Sequence, residues 1–278
     1  MEKNRRDFLK IAGLSAIAGI GAPTAFNMLL RGEVHASSEG GHVTDPHAGG
    51  GTEVKTGKRW GMVIDVKKFV ENPGLAERCI AACHTIHNVP DFGNKKDEIK
   101  WLWTEKFENT FPDHSQYKRH EALDEMPILT LCNHCDQPPC VRACPTKATF
   151  KRDDGVVAMD YHRCIGCRFC MAACPYGARS FNWRDPRGKD ENGNPFIKKV
   201  NPEFPTRMRG VVEKCNLCVE RLAFGKIPAC VEEASAVGGM FFGDLNDSNS
   251  PVSQTLLHNF TIQRKPALGT LPSLFYII

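Results

Sequence analysis

Thirteen cysteines fall into four tight groups separated by long cysteine-free stretches. Two groups are complete runs. Cys164, Cys167, Cys170 and Cys174 stand in CIGCRFCMAACP at the spacing C-x2-C-x2-C-x3-C-P, with Pro175 in place. Cys132, Cys135, Cys140 and Cys144 repeat the scheme in CNHCDQPPCVRACP and close on Pro145, with two extra residues before the third cysteine. Thiolates at such spacing are soft metal ligands. Zinc also uses paired C-x-x-C motifs, but it needs neither the third cysteine nor the trailing proline. The full run with its proline is the ligand signature of a [4Fe–4S] cube. The odd count and the clustering argue against a disulfide framework.

In such a run three closely spaced cysteines wrap one cube, and the fourth points away to ligate the neighbouring cluster. Cys132, Cys135 and Cys140 are therefore expected to share cluster A with Cys174. Cys164, Cys167 and Cys170 are expected to share cluster B with Cys144. The remaining groups are incomplete. Cys215, Cys218 and Cys230 have Ala234 where a fourth cysteine would stand, and Cys79 and Cys83 have Pro73 and Ala76 at the two positions before them. Under the same exchange rule, a cube on the first group would need positions 73, 76, 79 and 234, three of which are not cysteine. A cube on the last group needs Cys215, Cys218, Cys230 and Cys83, and all four are present; this is cluster C. The losses fall on one cube and spare its partner. Three cubes use twelve cysteines and leave Cys79 as a buried thiol outside the ligand set.

CIAACH, at Cys79–His84, is one residue too long for the C-x-x-C-H haem attachment pattern and would take Cys83 from cluster C. His84 and His87 are read as helix or loop histidines beside a cluster, able to tune it by hydrogen bonding. Lys147, Arg163, Arg168 and Arg179 lie next to cluster loops and are read as solvated charges, some of them able to stabilise reduced cubes.

The elements that must position these loops are short. ATFKRDDGVVAMD, between the two complete runs, has β-rich flanks around Asp153, Asp154 and Gly155 and reads as a hairpin. The expected fold class is α+β: tandem bacterial-type [4Fe–4S] ferredoxin-like modules in a pseudo-two-fold polyferredoxin, with inserted loops and a C-terminal extension. Residues 1–36, opening MEKNRRDFLKIAGLSAIAG, have the paired arginines, apolar run and small residues of a Tat export signal, with VHA at Val34–Ala36 as the cleavage site. Retention of that segment uncleaved, as an N-terminal anchor, is the alternative. Residues 37–58, rich in Gly, Ser and His, read as a linker. The polyferredoxin domain is expected over 59–247, with an outer module (59–87 with 211–243) and an inner module (129–183). Residues 248–278 are expected to form a docking extension whose apolar end, LPSLFYII, is either folded onto its own core or, as the favoured reading, buried in a membrane partner.

The net charge of +4 does not indicate nucleic acid. Residues 1–36 carry five basic and three acidic side chains, which leaves +2 for the rest. Three oxidised cubes with their thiolates, about −2 each, bring the loaded protein to about −4. No nucleophile–base motif, phosphate loop or dinucleotide fingerprint is present, so no catalytic residue is assigned.

CNHCDQPPCVRACPTKATF, CIGCRFCMAACPYGARSF and KCNLCVERLAFGKIPACVE resemble the polyferredoxin electron-transfer subunits of membrane-bound oxidoreductases, among them the PsrB, NrfC and dimethyl sulfoxide reductase B types. The resemblance covers residues 58–247. The fullest members have sixteen ligand cysteines, and this chain departs from them at Pro73, Ala76 and Ala234. With the export signal, HNVP, NPEFPTRMRGVVEKC, FGDL and the C-terminal segment, the chain is most similar to the DsrO type of DsrMKJOP complexes. That resemblance implies a periplasmic iron–sulfur subunit of a quinone-interacting complex in dissimilatory sulfur metabolism. Its implied partners are an NrfD-type polytopic membrane subunit (DsrP-like), a multihaem cytochrome c (DsrJ-like) and the other Dsr subunits. The competing implication is the electron-transfer β subunit of a molybdopterin oxidoreductase, such as polysulfide, tetrathionate or DMSO reductase.

Overall fold

A computed structural model describes residues 57–114 and 126–278, all within one contact unit, Val54–Ile278. The expected export signal and all but the last two residues of the expected linker lie outside the described residues.

The chain enters through β1 (Trp60–Asp65), whose four middle residues are all buried. Such an apolar run suits a strand with neighbours on both sides. The Asp65 carboxylate accepts the Lys68 amide at 3.2 Å and caps α1 (Val66–Glu71). Gly74, at φ 84°, turns the chain into α2 (Leu75–Ile86). Leu75, Cys79 and Cys83 recur every fourth residue and form the buried face of α2. β2 (Leu102–Lys106) and α3 (Phe107–Thr110) follow, and β2 pairs antiparallel with β3 (Pro127–Leu131).

The central part is built from very short pieces: α4 (Pro139–Arg142), β4 (Thr149–Lys151), β5 (Val157–Met159), α5 (Phe169–Ala173), β6 (Ser180–Phe181), β7 (Val212–Glu213) and α6 (Val219–Leu222). β4 and β5 form an antiparallel hairpin whose turn carries Gly155 at φ 81°, and β6 pairs with β7. α7 (Ala229–Ser235) and β8 (Met240–Asp244) return to the start of the chain: α7 packs on α2, and β8 pairs antiparallel with β1. α8 (Pro251–His258) then leads to β9 (Leu274–Ile277). Among the described residues, no helix is long and apolar enough to cross a membrane.

The C-terminal segment departs from the expectation of a tail buried in a partner. β9 is the third strand of the main sheet, order β8–β1–β9, and runs parallel to β1 in the register Met62 to Leu274 and Ile64 to Tyr276. Tyr276 is fully buried, donates its hydroxyl to the Leu129 carbonyl at 3.3 Å and meets the Phe111 ring edge-on at 5.1 Å. Alternation explains the difference. Leu274 and Tyr276 face the core while Phe275 and Ile277 are only half-buried, so five apolar residues in a row represent one strand with one inward face.

Candidate metal centres

The turns that carry the cysteines share a backbone signature. In the first C-x-x-C of each of the three larger groups the second intervening residue is left-handed: His134 at φ 41°, Gly166 at φ 70° and Leu217 at φ 60°; in Cys167–Cys170 it is the first, Arg168, at φ 63°. Three residues after Cys144 and Cys174, beyond each C-P step, Lys147 and Gly177 are left-handed as well, at φ 54° and 64°. Non-glycine residues adopt this conformation only where the surroundings over-determine it. At Gly166 the need is steric too: a Cβ there would lie 2.3 Å from the Gly210 carbonyl oxygen.

These turns gather the cysteines. Cys132, Cys135, Cys140 and Cys174 line one enclosed cavity, together with Tyr176 and Arg179. The 30-odd residues between the loop and Cys174 are spanned by the β4–β5 hairpin and by α4 packed against α5. At the far end of the fold, α2 and α7 carry Cys83 and Cys230 against each other, with Cys215 and Cys218 arriving on the loop before α6. Burial pushes the Cys83 thiol well up, and the charges of Cys215, Cys218 and Cys230 push it further. Cys170 is raised by burial and feels Cys164 and Cys140. Cys144 follows α4 and accepts the Thr149 amide at 3.5 Å. Burial alone would raise its pKa, but that amide and the Thr146 hydroxyl hold it below the usual thiol value.

The donor set fits iron–sulfur clusters. Burial lifts Cys135 and Cys215 to about 12, so these sites hold several thiolates together only when a cationic group replaces their protons. Buried donors lacking conventional partners face the same sulfurs. His134 accepts the Val157 amide on Nδ1 at 3.1 Å, which puts its proton on Nε2. That Nε2 has no nitrogen or oxygen partner among the described residues, and the ring lies against Cys132. Trp103 Nε1 and Arg179 Nη2 are unpartnered in the same way. Trp103 packs with Cys135, and Arg179 acts on Cys132, Cys140 and Cys170.

Cys79, one turn before Cys83 on α2, donates its Sγ to the Cys230 carbonyl at 3.4 Å, and burial pushes its pKa up to about 12. A Cβ on Gly239 would meet Phe69, Leu75 and Ala234 at 3.2, 3.3 and 3.4 Å, and Phe69, Leu75, Cys79 and Ala234 all belong to the main core. Of the positions where the missing ligands would stand, Ala234 is buried, Ala76 half-buried and Pro73 exposed.

His87 and Arg179 are both buried beside the cysteines. His87 is buried, with Nδ1 2.8 Å from the Cys83 carbonyl, Nε2 2.8 Å from Glu220 and its ring stacked on Trp101. Arg179 is only 5% exposed, so the expectation of a solvated charge fails there; Arg163 and Arg168 are exposed as expected. Lys214, fully buried beside Cys215, gives no signal in the sequence, because a lysine next to a cysteine has no diagnostic spacing.

A family model described as a 4Fe–4S dicluster domain matches residues 126–189. The chain is 37% identical over 291 residues to the Hdr-like menaquinol oxidoreductase iron–sulfur subunit 1 of Archaeoglobus fulgidus, covering 98% of this chain and 97% of that protein. It is 35% identical over 242 residues to the menaquinone reductase iron–sulfur cluster-binding subunit of Nitratidesulfovibrio vulgaris, covering 79% and 88%. It is also 34% identical over 223 residues to a tetrathionate reductase subunit of Salmonella typhimurium, covering 79% and 72%.

Proposed function

Because the chain belongs to the family of iron–sulfur electron-transfer subunits of membrane-bound, quinone-interacting oxidoreductases, we propose that it relays single electrons through three [4Fe–4S] clusters. Cluster A is held by Cys132, Cys135, Cys140 and Cys174; cluster B by Cys164, Cys167, Cys170 and Cys144; cluster C by Cys215, Cys218, Cys230 and Cys83. Cys79 is a thiol outside the set. The observation that carries this reading is the meeting of Cys83 with Cys215, Cys218 and Cys230 across 130-odd residues of chain, while Cys79, one turn earlier on α2, points at a carbonyl. When bound, the clusters supply one-electron redox chemistry. The protein supplies thiolates, amides and buried cations around them and excludes water.

The fold is then two dicluster modules: an inner one holding A and B, and an outer one whose first cube has been replaced by core. The physiological setting we propose is a DsrMKJOP-type complex of sulfur metabolism on the outer face of the cytoplasmic membrane, reached through the Tat signal. An NrfD-type membrane subunit and a multihaem cytochrome c are the proposed partners. The likeness to menaquinol- and menaquinone-linked subunits supports a quinone-side partner. The likeness to a tetrathionate reductase subunit favours the second reading, an electron-transfer chain serving a molybdopterin catalytic chain.

Substitution tests the ligand set. Cys83→Ala is expected to remove about four irons per chain, with loss of one EPR-active cluster, whereas Cys79→Ala keeps the full complement. A Cys79→Ala protein short of one cube would overturn the assignment.

A further inference from the structure

The sulfur sites interact in a fixed order. Cys132 packs against the core cluster that holds Cys215, and Cys140 shares a second cluster with Cys170 and Cys164, so the cavity of Cys132, Cys135, Cys140 and Cys174 is the middle member, adjacent to both of the others. A buried cation sits at each of these two junctions. The Lys214 ammonium donates to the Val157 carbonyl and, at 2.7 Å, to the Cys215 carbonyl, and its charge acts on both Cys132 and Cys215. The Arg179 guanidinium donates to Thr149 Oγ1 at 3.1 Å, leaves Nη2 without a conventional partner, and acts on Cys140, Cys170 and Cys132.

Neither cation makes an ion pair among the described residues. The carboxylate next to Lys214 in sequence, Glu213, is already taken: Arg207 binds it at 2.6 Å, Trp101 Nε1 donates to it at 2.9 Å, and Asn182 donates to its other oxygen. Of the two other buried arginines, Arg207 is thereby neutralised, and Arg264 donates to the Thr110 and Tyr176 carbonyls. Burying a charge without a counter-ion is strongly unfavourable. The counter-charge for Lys214 and Arg179 must come from what the cysteines hold, and a loaded site of four thiolates is net negative.

We propose that Lys214 and Arg179 are the buried counter-cations of the relay, and that by flanking the middle site together they make cluster A the most readily reduced of the three. The inference rests on the ligand assignment above. Reduction adds one negative charge to a cluster, and a cation fixed in a poorly screened interior favours that state. Cluster A has two such neighbours; B has Arg179 and C has Lys214. The electron therefore rests in the middle of the relay, with an uphill step to either end.

Lys214→Met and Arg179→Met, each in the full-length cluster-loaded protein, are to be followed by EPR-monitored redox titration. Both are expected to lower the same midpoint, the highest one, by at least a tenfold change in the reduction equilibrium, about 59 mV for one electron. Lys214→Arg should leave it near its original value. Variants with all clusters intact and the highest midpoint unmoved, or variants that move different midpoints, would overturn the proposal. Should either variant fail to hold its clusters, Cys174→Ala decides: the signal it abolishes should be the first to appear on reduction, and loss of a later one sinks the idea. The wild-type iron content separates the two levels, because a wrong cluster count refutes the ligand assignment without reference to any midpoint.

Discussion

The environment of His84 ties its protonation to folding. Burial lowers its pKa to about 4, from about 6.5 in an unfolded chain. Between those values the unfolded chain binds a proton that the folded one refuses, so stability is fully present above about pH 6.5 and falls as pH drops towards 4. His84→Gln should flatten that decline, read as the denaturant midpoint of the anaerobic loaded protein at pH 7.5 and 5; parallel declines in both proteins would contradict it. At this scale the sequence was most legible where chemistry imposes spacing. The proposed sorting of twelve cysteines into three sets rests on spacing alone, each set having its own arithmetic. His134, Lys214 and Arg179 could not be sorted, because what distinguishes them is burial and a missing partner, and only the folded chain decides both.

Among the elements, the C-terminal segment and the Gly166 turn carry separate consequences. The segment before β9 braces the middle site: Asp136 and Gln137 donate their amides to the Leu271 and Thr270 carbonyls at 2.8 and 3.0 Å, and Ser273 donates to the Asn133 carbonyl at 2.9 Å. Lys265 reaches the Pro175 carbonyl at 2.7 Å, and Thr270 bonds the Tyr176 hydroxyl. Deleting residues 271–278 should therefore cost iron, cluster A first, and leave the main sheet without its parallel edge. A truncated protein with full iron content that merely leaves the membrane fraction would restore the docking role. Gly166→Ala should lose cluster B alone, because its Cβ meets the Gly210 backbone, whereas Leu217→Gly should be tolerated. Iron analysis of the two variants separates them. The β4–β5 hairpin was readable from local turn chemistry in Asp153, Asp154 and Gly155. The placement of β9 was not, since its partner strand lies about two hundred residues away and no local preference names it.

At the scale of the whole molecule, the proposed ligand assignment puts the clusters in the order B, A, C. On that assignment no fourth cube follows C, and Phe69, Leu75, Cys79 and Ala234 belong to the main core. The charge balance follows the same logic, since a chain that is basic as sequence becomes acidic once loaded. Everything rests on the count of cubes. Iron and acid-labile sulfide on anaerobically prepared, full-length protein measure it directly. About twelve irons and about twelve sulfides per chain are expected from three [4Fe–4S] clusters. A value near sixteen would mean that the packed region beside Cys79 holds a fourth cube, and a value near eight that Cys83 does not complete the third.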